Sequence, residues 1–242
     1  MKITAEEQLM YAVMKAIYES GIPISFKGSM VLKACLIEAG FTNDTRHTVD
    51  IDANWHSDVW PTGVQMEEFI QRALRDGNID LNVKLYRMYG KGRSAGFELS
   101  VPSSDEVVFT MDIDVNRPKV ETKIYTISEI RFRGLSLIPM LADKLSVISS
   151  EKVFRRVKDL IDLYYIAQVY NPDWSKVLQA LYDSGRTLGS FDCFLNDTEA
   201  LLHAYNKFRF DGDISKPSFD DVYQTVQKYI TAILPEPTNQ EE

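Results

Sequence analysis

Two stretches of this sequence set Asp-Ile-Asp into apolar alternation, HTVDIDANW (47–55) and EVVFTMDIDV (106–115). Side chains alternate across a strand. In the first stretch Val49, Ile51, Ala53 and Trp55 therefore take one face, and Thr48, Asp50, Asp52 and Asn54 the other. In the second, Val107, Phe109, Met111, Ile113 and Val115 oppose Val108, Thr110, Asp112 and Asp114. Each strand has an apolar face for a core and an acidic one. Taken singly, such a strand reads as half solvated. Taken together they are harder to place, because Asp is depleted in strands and directly opposed like charges destabilise a sheet. If the two are neighbours, Asp50, Asp52, Asp112 and Asp114 crowd one patch, and something cationic has to offset them. Lys84 on a nearby strand is one candidate. A divalent metal is another: Mg²⁺ takes a few carboxylate oxygens together with substrate phosphates, and two such ions can clamp the attacking and leaving oxygens of a phosphoryl-type displacement.

The segment upstream points the same way. IPISFK (22–27) reads as a short strand, Gly28 and Ser29 turn the chain, and MVLKACLIEA runs as a largely apolar, buried helix to Gly40. A strand, a Gly-Ser turn and a helix N-terminus make a phosphate cradle from backbone N–H groups and the helix dipole. Alone, Gly-Ser is often no more than a helix start. Placed one helix before an Asp-x-Asp strand, it is more specific.

The rest of the chain fills in an α+β outline. Thr4 and Glu7 have capping-box spacing ahead of a stripe of Leu9, Val13 and Ile17, with Met10 and Met14 beside it. A helix is expected over 64–77 and strands over 81–89, 96–102, 122–127 and 130–134. From about residue 136 the pattern turns helical, with segments over 137–150, 152–170, 173–185, 197–208 and 218–234. The organisation expected is an α/β core over 1–136, a helical domain over 137–234 and a disordered tail over 235–242.

Composition narrows the function. Cys35, Cys193 and three histidines are too few and too scattered for a zinc site, and no Gly-x-Ser-x-Gly elbow or Walker-type glycine loop is present. No apolar run approaches the length of a bilayer span, and the N-terminus opens directly into a charged helical pattern, so a soluble, cytoplasmic protein is expected. The formal net charge of −8 argues against broad, non-specific nucleic-acid binding. Two local basic runs stand against it: KLYRMYGKGR (84–93), with Tyr86 and Tyr89 between the cations, and EKVFRRVK (151–158). Each taken alone reads first as a solvated face.

Gly-Ser, a helix, Asp-Ile-Asp on a strand and a third Asp on a later strand together resemble the polymerase β-like nucleotidyltransferase superfamily. More narrowly, FKGSMVLKA, RHTVDID, FTMDIDV, LADKL and RRVKDLIDLYYI resemble the AbiEii-type nucleotidyltransferase toxin family, over residues 22–168. The resemblance implies a mixed nucleotidyltransferase sheet with flanking helices, a C-terminal helical bundle, an NTP substrate and Mg²⁺. It implies that Gly28 and Ser29 hold the triphosphate, that Asp50 and Asp52 ligate metal, and that Asp112 is the third strand acid, with Asp114 on the same face able to take its place. Lys144 matches a lysine expected at the nucleotide phosphates or base. Asp159, as a catalytic residue, and Asp162, at the nucleotide, match a late acidic motif. Read without the family, Lys144 is an exposed helix lysine, and Arg155–Asp159 and Lys158–Asp162 are helix-surface ion pairs. Residues 30–49 make the interval between Ser29 and Asp50 longer than is usual in the family.

Members of the family are commonly toxins of toxin–antitoxin or phage-defence systems, and some add nucleotides to the 3′ end of tRNA. The resemblance thus implies transfer of NMP to an RNA acceptor and a cognate antitoxin. A protein or small-molecule hydroxyl as acceptor, which the net charge favours, and a non-catalytic nucleotide-binding module are the competing readings.

Overall fold

Thr4 and Glu7 form the capping box that their spacing predicts. The Glu7 N–H donates to Thr4 Oγ1 at 3.1 Å and the Thr4 N–H to Glu7 Oε2 at 3.0 Å. They start α1 (Ala5–Glu19), whose buried face carries Met10, Val13, Met14 and Ile17. The computed structural model describes residues 1–233 apart from Trp60, 116–117 and 211–213, so the tail over 235–242 lies outside the described residues. The chain divides into two compact units, Met1–Met140 and Leu141–Glu242.

In the first unit, β1 (Ile24–Lys27) leads directly into α2 (Gly28–Glu38), followed by β2 (Asp50–Trp55), α3 (Gly63–Asp76), β3 (Asn82–Tyr89), β4 (Ser94–Ser100), β5 (Val107–Asp114), β6 (Thr122–Ile127) and β7 (Ile130–Leu135). The strands form one seven-stranded mixed sheet in the order β3-β4-β5-β2-β1-β7-β6. β2 pairs parallel with β5 and antiparallel with β1. The two Asp-Ile-Asp strands are thus neighbours at the centre of the sheet. Their apolar sides, Ile51, Ala53, Phe109, Met111 and Ile113, join Phe26, Phe97 and Leu99 from the adjacent strands and the buried residues of α1 and α3 in one core. Each of the large side chains among these contributes about 1.5–3 kcal/mol on full burial.

Alternation holds from Asp50 onward and fails before it. Val49, placed on the core face by periodicity, is 59% exposed, whereas Thr48 is buried. The strand begins only at Asp50, so the pleat that would have turned Val49 inward is absent. The long interval after α2 forms a loop tied to the N-terminus, the Met1 ammonium donating to the Thr42 carbonyl at 2.8 Å and the Lys2 N–H to Asp44 Oδ1 at 2.6 Å.

The helix α4 (Leu137–Ile148) runs from the end of the first unit into the second. The second unit continues with a 3₁₀ segment (Glu151–Arg155), α5 (Val157–Val169), α6 (Trp174–Asp183), a short α7 (Asp192–Asn196), α8 (Thr198–Lys207) and α9 (Phe219–Thr231). The single helix expected over 152–170 is broken at Arg156 (φ −125°, ψ 39°). Apolar periodicity runs through that residue, so the sequence pattern carries no sign of the break. The residue caps α5 instead, its carbonyl accepting from the Asp159 N–H at 2.8 Å and its side-chain Nε donating to Asp159 Oδ2, also at 2.8 Å.

Candidate active site

The parallel register of β2 and β5 sets Asp50 across from Thr110, Asp52 from Asp112 and Asn54 from Asp114. Opposed residues share a sheet face, so the four acids lie on one side, each partly buried, with the core on the other. The same face continues outward. On β1, Lys27 is opposite Asp52. On β4, Gly96 is opposite Asp112 and Ser94 opposite Asp114.

Each acid has a specific anchor. Ser29 donates to Thr48 Oγ1 at 3.0 Å, and Thr48 donates to Asp50 Oδ1 at 2.6 Å, a relay from the helix start to the first acid. Gly28 stands against Asp52. It has φ +72°, a left-handed backbone that favours glycine, and a Cβ there would run into Asp52 Oδ2 and sit 3.1 Å from Asp52 Cβ. Asp112 Oδ2 accepts from Arg87 Nη2 at 3.3 Å. Its other oxygen, Oδ1, is buried and meets no hydrogen-bond donor among the described residues. Asp114 Oδ2 accepts from Lys27 Nζ at 2.6 Å, and its Oδ1 from Ser94 Oγ. Lys27 and Arg87 offset charge on the acidic face, while Lys84 lies across from Glu98 on β4. Burial and the Asp112 carboxylate push the Tyr89 phenol up to about 12, so it stays neutral near pH 7 beside the acid.

The start of α2 suits an anion. Its N-cap, Lys27, makes no side-chain capping bond, and the first turn carries no acidic residue. The first N–H groups of a helix have no intrahelical partner, and the dipole favours negative charge at that end.

The remaining expected residues lie in the second unit and meet one another. Lys144 Nζ donates to Asp162 Oδ2 at 2.6 Å and to Asp159 Oδ1 at 3.2 Å, and Asp159 also pairs with Arg156. Lys144, Asp159 and Asp162 are 7%, 5% and 3% exposed. Neither a surface lysine nor helix-surface acids describe them, because burial at this level leaves ionised groups unstable unless they are paired.

Sequence reasoning missed Thr48, Lys27 and Gly96. Lys27 precedes Gly28-Ser29 directly and could have been noticed there. Alternation places Thr48 on the acidic face but gives it no role, and Gly96 carries no signal until strand register is known.

The model of the family described as nucleotidyl transferase AbiEii toxin, type IV toxin–antitoxin system, matches residues 9–225. The chain belongs to that family. As an AbiEii-family protein it is a nucleotidyltransferase of a toxin lineage. No curated protein matches its sequence. Among solved structures, the nucleotidyltransferase toxin MenT4 of Mycobacterium tuberculosis H37Rv superposes with a TM-score of 0.58 at 14% identity, over 96% of this chain and 84% of its own. At that identity the likeness shows the fold. An antigenic nucleotidyltransferase-like protein from Paracoccidioides brasiliensis aligns over 83% of this chain and 94% of its own, at 16% identity and a TM-score of 0.48. Among the described residues no helix is long and apolar enough to cross a membrane.

For this AbiEii-family chain, Gly28→Ala is a sharp test of the Gly28–Asp52 contact. The methyl group must displace the Asp52 carboxylate, and a misplacement of about 1 Å can cost on the order of 10²-fold in rate. The left-handed backbone adds roughly 1–2 kcal/mol of destabilisation. Nucleotidyl transfer measured beside a urea melt is expected to show a rate loss much larger than the stability loss explains.

Proposed function

We propose that this protein transfers NMP from an NTP to an RNA acceptor, such as the 3′ end of tRNA, in a Mg²⁺-dependent reaction, and that a cognate antitoxin restrains it. The observation that carries the reading is the direct opposition of Asp52 and Asp112 on neighbouring parallel strands, with Gly28 packed on Asp52. Two carboxylates brought face to face in a sheet make sense where a cation or a transferring phosphoryl group is to be held between charges.

The residues fit a hard divalent ion. The donors are carboxylate oxygens, the ligand type Mg²⁺ takes, and Asp112 Oδ1 is buried without a donor. Among the described residues no group of three or more His, Cys, Asp or Glu side chains stands ready to enclose a metal by itself. Mg²⁺ commonly takes one or two carboxylates and leaves its other positions to water and substrate phosphates. Asp52 and Asp112, directly opposed, would hold it with substrate phosphates, and Asp50 stands beside them on the same face. Asp114, the alternative third acid, is already held by Lys27 and Ser94. A bound divalent ion supplies Lewis-acid stabilisation of phosphate oxygens.

The chain's own residues orient the rest. The N–H groups at the start of α2, with Gly28 and Ser29, receive the triphosphate and draw the pyrophosphate away. Thr48 fixes the Asp50 carboxylate through its hydroxyl, so this acid need not reorganise during reaction. Lys27 places a positive charge beside the acids and next to the cradle. In the second unit, Asp159 and Asp162 hold Lys144, whose role toward the nucleotide is the one the family resemblance implies.

The net charge of −8 favours a second reading, a protein or small-molecule hydroxyl as acceptor. One experiment separates the two. Purified protein is given Mg²⁺, each labelled NTP in turn, total RNA and total protein. Label is expected on RNA, concentrated in tRNA, and EDTA is expected to remove it. Label confined to protein would overturn the RNA acceptor while leaving the transferase intact.

A further inference from the structure

The pairing of β3 with β4 slips by one residue between Leu85 and Arg87, leaving Tyr86 without a partner in the ladder. A bulge of this kind re-aims side chains, and here Tyr86 and Arg87 converge over one point of the sheet. A Cβ on Gly96 would lie 2.8 Å from Tyr86 Cε1, 3.0 Å from Arg87 Cγ and 2.9 Å from Asp112 Oδ1. Glycine at 96 thus makes the space in which all three meet. The Arg87 guanidinium stands 4.8 Å from the centre of the Tyr86 ring and 4.9 Å from that of Tyr89, and it reaches Asp112. Each ring is 37% exposed. The result is two phenol rings and a guanidinium gathered beside the acid whose buried oxygen has no donor.

We propose that Tyr86, Arg87 and Tyr89 form the platform on which the terminal nucleobase of a single-stranded nucleic-acid acceptor stacks, with its 3′-hydroxyl directed toward Asp112. This rests on the nucleotidyl-transfer reading above and assigns the acceptor's side of the site.

Three observations favour it. Aromatic faces and guanidinium planes are what unpaired bases stack on, and stacking is tolerant of sequence. Strand order places the platform on the opposite side of the acids from the phosphate cradle: Gly28 packs on Asp52 of β2, whereas the platform is reached through Asp112 of β5 and Gly96 of β4. In a phosphoryl transfer the attacking and leaving oxygens lie roughly in line on opposite sides of phosphorus. If pyrophosphate leaves toward Gly28 and Ser29, the attacking hydroxyl arrives from the platform side. Finally, Lys91 and Arg93 lie in the turn that follows Tyr89, a local source of positive charge for a strand backbone on an otherwise acidic protein.

The test measures binding of a labelled short single-stranded RNA with a free 3′ end, by fluorescence anisotropy, to the full-length protein. The wild type is compared with Tyr86→Ala/Tyr89→Ala and Tyr86→Phe/Tyr89→Phe. The alanine pair is expected to weaken RNA binding about 10-fold or more and to raise the KM for RNA with little change in kcat. The phenylalanine pair, which keeps both rings, should stay within about twofold of wild type. Binding of Mg²⁺–NTP should be equal in all three. The platform is overturned if the alanine pair binds RNA as wild type does, or if it loses NTP binding in parallel with RNA. It is also overturned if label passes to protein alone and the alanine pair impairs that transfer. Failure of the underlying reading is distinguishable: transfer that survives Asp112→Asn would defeat the active-site assignment, whereas an unaltered RNA affinity in the alanine pair defeats only the platform.

Discussion

Asp112→Asn is expected to lower nucleotidyl transfer by roughly 10²–10³-fold, the scale on which one preorganised electrostatic contact to a transition state is lost, with little change in melting. Asparagine keeps the shape of the side chain and one acceptor oxygen, so the β4–β5–β2 pairing around it is undisturbed. What it removes is negative charge at the position directly across from Asp52. It also removes the charged partner of Arg87, a pair whose arginine side chain is 51% exposed. Exposed pairs contribute only about 0–1 kcal/mol, so stability is expected to hold. Asp114→Asn is the informative neighbour. Its carboxylate is engaged by Lys27 and Ser94, and its replacement should cost transfer markedly less than that of Asp112. Initial rates of the two variants under identical Mg²⁺ and NTP decide which acid belongs to the reaction; equal losses, or a larger loss at 114, would reassign the third acid.

The second large effect is on stability. Lys144→Ala removes the ammonium that Asp162 and Asp159 share, and breaking a buried ion pair from one side costs about 3–5 kcal/mol, because charge is left behind in a place water does not reach. Arg156 still meets Asp159, and Asp162, whose side chain is 4% exposed, loses the ammonium that stands 2.6 Å from it. A double replacement, Lys144→Met with Asp162→Leu, removes both charges and fills the space with apolar groups. It should recover much of the stability, but not activity if Lys144 also serves the nucleotide. Urea unfolding followed by near-UV circular dichroism reads the first effect, and transfer assays on the double variant read the second. A Lys144→Ala protein as stable as wild type would show that the cluster contributes little to the second unit.

These two expectations differ in how far the sequence alone could have supported them. The acidic faces of β2 and β5 follow from alternation, since period-two patterning is a direct consequence of the pleat. The capping box at Thr4 and the turn into α2 at Gly28 are equally local. That β2 and β5 are parallel neighbours is not local: β3 and β4 lie between them in sequence, and β5 inserts between β4 and β2 in the sheet. Only the family pattern supplied that proximity beforehand. Alternation sets Thr48 beside Asp50 but misassigns Val49 to the core, and the link from Ser29 to Thr48 crosses nineteen residues that no local pattern connects. Lys144 is a related case. Its neighbours Asp159 and Asp162 fall at helix spacing from Arg155 and Lys158, and spacing within one helix says nothing of a partner arriving from another. The roles of Tyr86 and Arg87 depend on a bulge, a single slipped residue that leaves the hydrophobic pattern of β3 unchanged.

Asp50 and Asp52, beside the Gly28–Ser29 helix start, are expected to hold a metal–nucleotide complex. Calorimetric titration of a non-hydrolysable NTP analogue tests this most directly, with wild type and Asp50→Asn/Asp52→Asn protein, each in the presence of Mg²⁺ and of EDTA. Binding to wild type is expected to require Mg²⁺ and to be lost in the double variant even when the ion is present. Nucleotide that binds wild type equally well in EDTA, and binds the double variant just as tightly, would contradict the account.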